Sequence, residues 1–113
     1  MTTQNKSMFH YDIALVRDLP RSFADCIKSQ IPEEAISVET ALQQHENYVH
    51  VLESIIPTVV KIPADESCPD CCFIEDTCLI IGKTVIMSSM APASRKPEVK
   101  KVRDIIVQLN AEN

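Results

Sequence analysis

The sequence predicts an α/β fold, in which short strands alternate with two helices. Residues 11–17 and 58–62 are runs of strand-forming side chains, and residues 38–55 between them repeat apolar side chains at helical spacing. Two further strand-forming runs flank Gly82-Lys83, and a second helical pattern follows Pro97. Strand–helix alternation of this kind is typical of α/β proteins.

The first half of the chain is predicted to run strand, loop, helix, strand. Residues 11–17 form a buried strand, and residues 18–34, which lack a clean periodicity, form a loop. Ser37 is placed to cap a helix over residues 38–55, and Pro57 ends it. The apolar stripe of this helix consists of Ala41, Leu42, Tyr48, Val49, Leu52 and Ile55.

The second half is predicted to contain a hairpin and a final helix. Residues 77–81 and 84–87 are the strands, and Gly82-Lys83 is the tight turn between them. Pro97 suits the first turn of a helix that ends near Leu109. The apolar face of that helix consists of Val99, Val102, Ile105, Ile106 and Leu109.

The length, charge and composition of the chain limit which kinds of partner, cofactor and location are expected. The 113 residues are expected to form a single domain or part of one, spanning 1–113. A net charge of −5 disfavours nucleic acid and anionic membrane surfaces as partners, since both attract basic patches. A single glycine argues against a phosphate-binding loop, and no cofactor is predicted. The polar N-terminus lacks a secretory signal and no apolar run is long enough for a membrane helix, so a cytoplasmic chain with reduced thiols is expected.

The stretch that is most informative about function is residues 63–81. It carries five carboxylates and then runs into the apolar residues 78–81. The five carboxylates are Asp65, Glu66, Asp70, Glu75 and Asp76. Acidic side chains beside a buried strand need a metal, a basic side chain or a cationic ligand as partner. This stretch, residues 63–81, is therefore the candidate site. Its residues 63–77, which precede the apolar end, form the acidic segment.

The pattern Pro63-Ala-Asp-Glu-Ser-x-Pro-Asp-Cys-x-Phe-x-Glu-Asp76 resembles that of the dimethylarginine dimethylaminohydrolases, or dimethylargininases. Further matches are Ala14-Leu-Val-Arg17, Leu19-Pro20, Ser22, Gln44-His45, Tyr48-Val49, Val51-Leu52, Ala93-Ser94-Arg95 and Glu98-Val99. Order and spacing fit over nearly the whole chain. The resemblance implies a five-bladed α/β propeller, the pentein fold, of which this chain would form the N-terminal part, about two blades.

The resemblance also implies a reaction. The family hydrolyses asymmetric dimethylarginine or monomethylarginine to citrulline and an alkylamine, which regulates nitric oxide synthesis. A cysteine attacks the guanidinium carbon, and a histidine acts as general acid and base. A guanidinium is a delocalised and poor electrophile, so carboxylates must fix its plane and hold its charge. The thiolate is then brought to it by proximity.

Carried over residue by residue, the resemblance implies a methylarginine-binding site in the acidic segment. Asp70 would accept hydrogen bonds from the substrate guanidinium, and Glu75 and Asp76 would join the same network. Phe73 would line the pocket beside them. Arg95 matches the arginine that contacts the substrate α-carboxylate. A substrate lid is implied near residues 23–34.

The departures from the family decide what this chain is expected to do alone. The catalytic histidine and cysteine, and a Leu-Asp-Gly-Gly-Asp motif, lie well C-terminal to this region in the family and are not in this sequence. No catalytic residue is therefore assigned. The chain is expected to be a truncated, inactive form of the enzyme.

Two alternatives remain open. One is a non-catalytic module that binds arginine analogues or associates with a full-length family member through open strand edges. The other is a small zinc protein, in which Cys68-x-x-Cys71-Cys72 and Cys78 would supply thiolates. Small buried hydrophobes are the simpler interpretation of Cys72 and Cys78, and no metal site is predicted.

Overall fold

The computed structural model describes residues 10–112 and shows a mixed α/β chain. Its strands and helices are β1 (Ile13–Arg17), α1 (Val38–Ile55), β2 (Thr58–Ile62), β3 (Cys78–Ile81), β4 (Thr84–Met87) and α2 (Glu98–Ala111). Short 3-10 turns occupy Arg21–Asp25, Ile74–Thr77 and Ala93–Arg95. The predicted order of elements is confirmed, with boundaries shifted by one or two residues.

Strands β1 and β2 form a parallel pair joined by α1. The register sets Ile13 against Thr58 and Arg17 against Ile62. A parallel pair needs a crossover connection, and α1 supplies it. The Ser37 hydroxyl accepts the Thr40 amide at 3.2 Å, which confirms the predicted helix cap.

Strands β3 and β4 form a separate antiparallel hairpin. Leu79 lies opposite Ile86, and Ile81 lies opposite Thr84. The two-residue loop needs a backbone conformation that L-residues rarely adopt, and Gly82 supplies it with φ of 58°. The predicted hairpin is confirmed.

The expectation that β1 is buried was wrong in part. Strand β1 was predicted to be buried, but only Val16 and Arg17 at its end are. That end is the one that meets the start of α2, where the Arg17 guanidinium bonds the Glu98 carbonyl. On the apolar stripe of α1, Val49 is buried whereas Tyr48 and Ile55 are exposed.

The core is small and lies where β1, β2, the acidic segment and α2 meet. Its fully buried side chains include Ile62, Val102, Thr77, Cys68 and Cys71. The chain is elongated, with extents of 59 × 29 × 24 Å. Within residues 10–112, neither helix is long and apolar enough to span a membrane.

Candidate functional site

The acidic segment follows β2 directly and is folded by a series of tight backbone turns. The Cys68 amide donates to the Asp65 carbonyl at 2.9 Å, and the Cys71 amide donates to the Cys68 carbonyl at 3.0 Å. The Phe73 amide then donates to the Asp70 carbonyl at 3.0 Å. Each turn satisfies backbone groups that would otherwise be buried without partners. The segment is thus a compact, ordered structure beside the start of α2.

Two of the five carboxylates hold the segment and its neighbours in place. The Glu66 carboxylate accepts the amides of Arg21 and Ser22, both at 3.0 Å, and so caps the 3-10 turn that follows β1. Asp65 accepts the amide and hydroxyl of Ser67 at 2.9 and 2.6 Å. Those bonds, the hydroxyl foremost, lower the pKa of Asp65 below its ordinary value. Both carboxylates are occupied by the protein itself.

Asp70 is a buried carboxylate that holds the loop after β1. Only 4% of the residue is exposed, and both of its oxygens lie 3.2 Å from the Ile27 amide nitrogen. A bond of this kind to a charged group is stronger than one between neutral groups. The loop that was predicted to be a lid is therefore tied to the acidic segment through Asp70.

Arg95 joins three of the predicted site residues. Its Nη1 donates to Asp76 Oδ2 at 2.8 Å, and its Nη2 donates to the carbonyls of Phe73 and Asp70 at 3.2 and 3.4 Å. Its Nε and Nη2 also donate to the Glu98 carboxylate. The two carboxylates raise the pKa of Arg95 against the opposing effect of its burial, so it stays charged. Glu98 had been noted in the sequence only as part of a family match.

Phe73 and Glu75 line an open cleft of about 840 Å³ beside this cluster. Residues of α1 form part of its wall, among them Gln44 and His45. The ring of Phe73 packs against Phe23 with centroids 6.0 Å apart. The cleft is mostly apolar, and Glu75 brings a carboxylate to it. Phe73 links the two parts of the site, because its carbonyl is bonded by Arg95 while its ring lines the cleft.

His45 is the cleft residue that the sequence did not mark for function. Its Nε2 is buried and has no hydrogen-bond partner within residues 10–112. Its spacing of three residues from Tyr48 on α1 is the signal that could have placed it on the cleft wall. The two rings lie 6.4 Å apart.

Three cysteines of the acidic segment, Cys68, Cys71 and Cys72, lack the environment of a nucleophilic thiol. Burial raises the pKa of the Cys68 and Cys71 thiols, and raises that of Cys72 to about 12. A nucleophilic thiol instead needs a lowered pKa. In the part of the chain that the structure describes, no group of three or more His, Cys, Asp or Glu side chains could hold a metal ion. The zinc alternative therefore has no support from the structure.

No family model matches the chain, but individual relatives do. The N(G),N(G)-dimethylarginine dimethylaminohydrolase of Pseudomonas aeruginosa is 29% identical over 66 residues, which is 58% of this chain and 26% of the relative. The enzyme of the same name from Streptomyces coelicolor is 24% identical over 96 residues, which is 85% of this chain and 37% of the relative.

Solved structures of these enzymes share the fold. A mutant of the Pseudomonas aeruginosa enzyme in complex with citrulline superposes with a TM-score of 0.82 at 25% identity. The match covers 89% of this chain and 39% of that one. A dimethylarginine dimethylaminohydrolase adduct with S-methyl-L-thiocitrulline superposes with a TM-score of 0.81 at 24% identity. It covers 88% of this chain and 39% of that one.

The chain thus spans about two fifths or less of the length of the relatives that it matches. The predicted fold class, part of an α/β propeller, is confirmed by the superpositions. The sequence matches carry the same enzyme name. On both grounds the chain is similar in sequence and in fold to the dimethylarginine dimethylaminohydrolases over part of their length.

Proposed function

We propose that the chain carries the part of a dimethylargininase that recognises methylated arginine. The observation that carries this proposal is the arrangement around Arg95, which gathers Asp76 and the backbone of Asp70 and Phe73 into one cluster. The relatives are named for dimethylarginine, and one of them is solved with citrulline. Dimethylarginine has a cationic guanidinium at one end and an amino acid at the other, and citrulline shares the amino acid end.

The proposed roles follow from charge and position. Asp70, Glu75 and Asp76 are the acceptors for the guanidinium, whose planar fork of donors matches carboxylates. Phe73 is the apolar wall against which the methyl groups and the guanidinium plane pack. Arg95 is the partner of the ligand α-carboxylate.

The number of donors on Arg95 limits what it can give to a ligand. A guanidinium has about five N–H donors. Nε and one hydrogen of Nη2 serve Glu98, and the other Nη2 hydrogen faces the carbonyls of Phe73 and Asp70. One hydrogen of Nη1 serves Asp76. Within residues 10–112, this leaves one Nη1 hydrogen, so Arg95 offers a ligand carboxylate a single hydrogen bond rather than a bidentate pair.

The whole enzyme would use this site for C–N hydrolysis of dimethylarginine or monomethylarginine to citrulline and an alkylamine, and so regulate nitric oxide synthesis. The 113-residue chain is proposed to bind without hydrolysis. Burial raises the pKa of Cys68, Cys71 and Cys72, which is opposite to what a nucleophilic thiol requires. Five free thiols suit a reducing compartment, so a cytoplasmic location is proposed.

A second candidate function is association with a full-length member of the family. The observation that favours it is the exposed apolar surface of the hairpin. Its large exposed side chains are Leu79, Ile80, Ile81 and Ile86. Leu79, Ile81 and Ile86 share one face of the hairpin, and Ile80 lies on the other. Exposed apolar surface such as the first face is typical of protein–protein contact. The free edges of β3 and β4 add unpaired backbone groups that a further strand could bond.

Titration of the full chain with Nω,Nω-dimethyl-L-arginine by calorimetry tests the first proposal. We expect binding, no citrulline in a colorimetric assay, and affinity about tenfold weaker in Asp76→Asn, the size of one lost charge-assisted hydrogen bond. Asp104→Asn is the matched control, because it also breaks an Asp–basic pair, the exposed one with Lys100. Absence of binding by the parent chain would contradict the proposal, and citrulline production would contradict its inactivity.

A further inference from the structure

Glu98 is a carboxylate buried without any exposure at the start of α2, and its partner is Arg95. Arg95 Nε donates to Glu98 Oε2 at 3.0 Å, and Arg95 Nη2 donates to Glu98 Oε1 at 3.0 Å. The two parallel bonds form a bidentate pair, which fixes the plane of the guanidinium as well as its position. The side chain of Arg95 is only 12% exposed. The bidentate pair with Glu98 therefore sets the orientation of the Arg95 guanidinium.

The opposite edge of the same guanidinium meets the acidic segment. Nη1 reaches the Asp76 carboxylate at 2.8 Å, and Nη2 reaches the Phe73 carbonyl at 3.2 Å. Asp76 is about half exposed, so its carboxylate is both tethered and accessible. A rotation of the Arg95 plane would break these bonds together. The geometry of the segment thus depends on the residue that fixes that plane.

Glu98 is itself held by a contact that does not involve Arg95. Arg17 Nη1 donates to the Glu98 carbonyl at 3.1 Å, and Arg17 Nε donates to the Pro63 carbonyl at 3.0 Å. One buried arginine of β1 thus ties the start of α2 to the start of the acidic segment. Removing the Glu98 charge should leave its backbone in place and release only the Arg95 guanidinium.

We propose that Glu98 is a positioning residue, which aligns Arg95 so that Arg95 orders Asp76 and presents its one remaining donor to the α-carboxylate of the ligand. Only the second part of this inference, the donor presented to the ligand, rests on the proposed function. The first half, that Glu98 sets the conformation of the acidic segment through Arg95, holds in the chain without ligand.

The first arm of the test needs no ligand. In Glu98→Gln, the amide ¹H–¹⁵N shifts of residues 70–76 are expected to move while those of residues 38–55 in α1 stay unchanged. Asp104→Asn is the control on the same helix and should move neither region. If the amides of residues 70–76 stay unchanged in Glu98→Gln, the proposal is wrong, whether or not the chain binds methylarginine.

The second arm separates positioning from a merely structural role. Affinities are measured for Nω,Nω-dimethyl-L-arginine and for Nω,Nω-dimethylagmatine, which lacks the α-carboxylate. Glu98→Gln is expected to lower the preference for the carboxylate-bearing ligand about tenfold and to change agmatine-type binding little. Equal loss for both ligands would mean that Glu98 only stabilises the fold. If neither ligand binds the parent chain while the first arm succeeds, the proposed function fails and the positioning of the segment stands.

A second variant keeps the test decisive if Glu98→Gln does not fold. The double replacement Arg95→Met with Glu98→Leu removes both charges and retains apolar volume, a change that buried ion pairs often tolerate. The folded double variant is expected to show the same displacement of the amides of residues 70–76 and to lose the preference for the carboxylate. A folded double variant that keeps the parent's preference would overturn the proposal.

Discussion

The acidic segment and the β3–β4 hairpin are neighbours in the sequence, but the structure holds them in opposite ways. The segment bonds the loop after β1 through Glu66 and Asp70 and bonds the start of α2 through Arg95. On the hairpin, Leu79 and Ile81 remain 57% and 60% exposed. The segment therefore has its contacts within residues 10–112, whereas the hairpin carries apolar surface that those residues do not cover.

The acidic segment is stabilised by contacts with distant residues, whereas the hairpin is stabilised by contacts within itself. Long-range hydrogen bonds and buried charges make the segment depend on residues far away in the sequence. The hairpin depends on its own ladder and on Gly82, and two-stranded hairpins are marginal in water without a packed face. Substitutions in the two regions should therefore differ in cost even when the side chains are alike.

The largest effect is expected at Arg95. Arg95→Met leaves the Glu98 carboxylate buried without its partner, which should lower the free energy of unfolding by about 3–5 kcal/mol. That is a large part of the roughly 5–15 kcal/mol that stabilises a typical domain. Urea denaturation followed by circular dichroism measures it. Lys100→Met, which breaks an exposed pair with Asp104, should cost less than about 1 kcal/mol, and an equal cost would contradict the distinction.

A matched pair of apolar truncations compares the regions directly. Ile62 is fully buried at the end of β2, so Ile62→Ala should lower the free energy of unfolding by about 2–5 kcal/mol. Ile80→Ala on the half-exposed hairpin should cost about 1 kcal/mol or less. The same denaturation experiment gives both values. Similar costs would mean that the hairpin is packed in solution in a way that the structure does not show.

The same contrast explains what sequence reasoning could find. The helix cap at Ser37, the helix end at Pro57 and the turn at Gly82 are local signals, and each was predicted correctly. The acidic segment was recognisable as a family pattern. The bonds of Asp70 to the Ile27 amide and of Arg17 to the Glu98 carbonyl join residues 43 and 81 positions apart. No local pattern encodes such pairings, because they depend on how the elements pack.

Burial was the other quantity that the sequence could not supply. The apolar stripe of α1 predicts which face is apolar, not whether anything covers it, and Tyr48 and Ile55 proved exposed. The functional assignments of Asp70, Phe73, Glu75, Asp76 and Arg95 remain predictions. The structure shows four of them joined through Arg95, with Glu75 beside Phe73 on the cleft. Glu98 was overlooked because a buried carboxylate cannot be told from a surface one by its sequence position.

The exposed face of the hairpin should affect association more than folding. Leu79 and Ile86 lie opposite each other, so the double replacement Leu79→Thr with Ile86→Thr makes this cross-strand pair polar and places a β-branched strand former at both positions. The free energy of unfolding should change by less than about 1 kcal/mol. In sedimentation velocity, concentration-dependent association of the parent chain should decrease. Val107→Thr, an exposed apolar position on α2, is the control, and the same decrease there would remove the hairpin as the cause.

The smallest effect is expected at Asp65 and depends on pH. Bonds from the Ser67 hydroxyl and amide hold the pKa of Asp65 below its ordinary value of 3.8. A carboxylate with a lowered folded pKa stabilises the fold above its unfolded pKa, and that contribution is lost as the pH falls through the folded value. The stability difference between the parent chain and Asp65→Asn should therefore be constant near neutral pH and shrink below about pH 4. Ser67→Ala, which removes the hydroxyl donor and leaves the amide, should reduce the same pH dependence without abolishing it. A stability difference that stays constant down to pH 2 would contradict this prediction. It would show that the charge of Asp65 does not stabilise the turn at the start of the acidic segment.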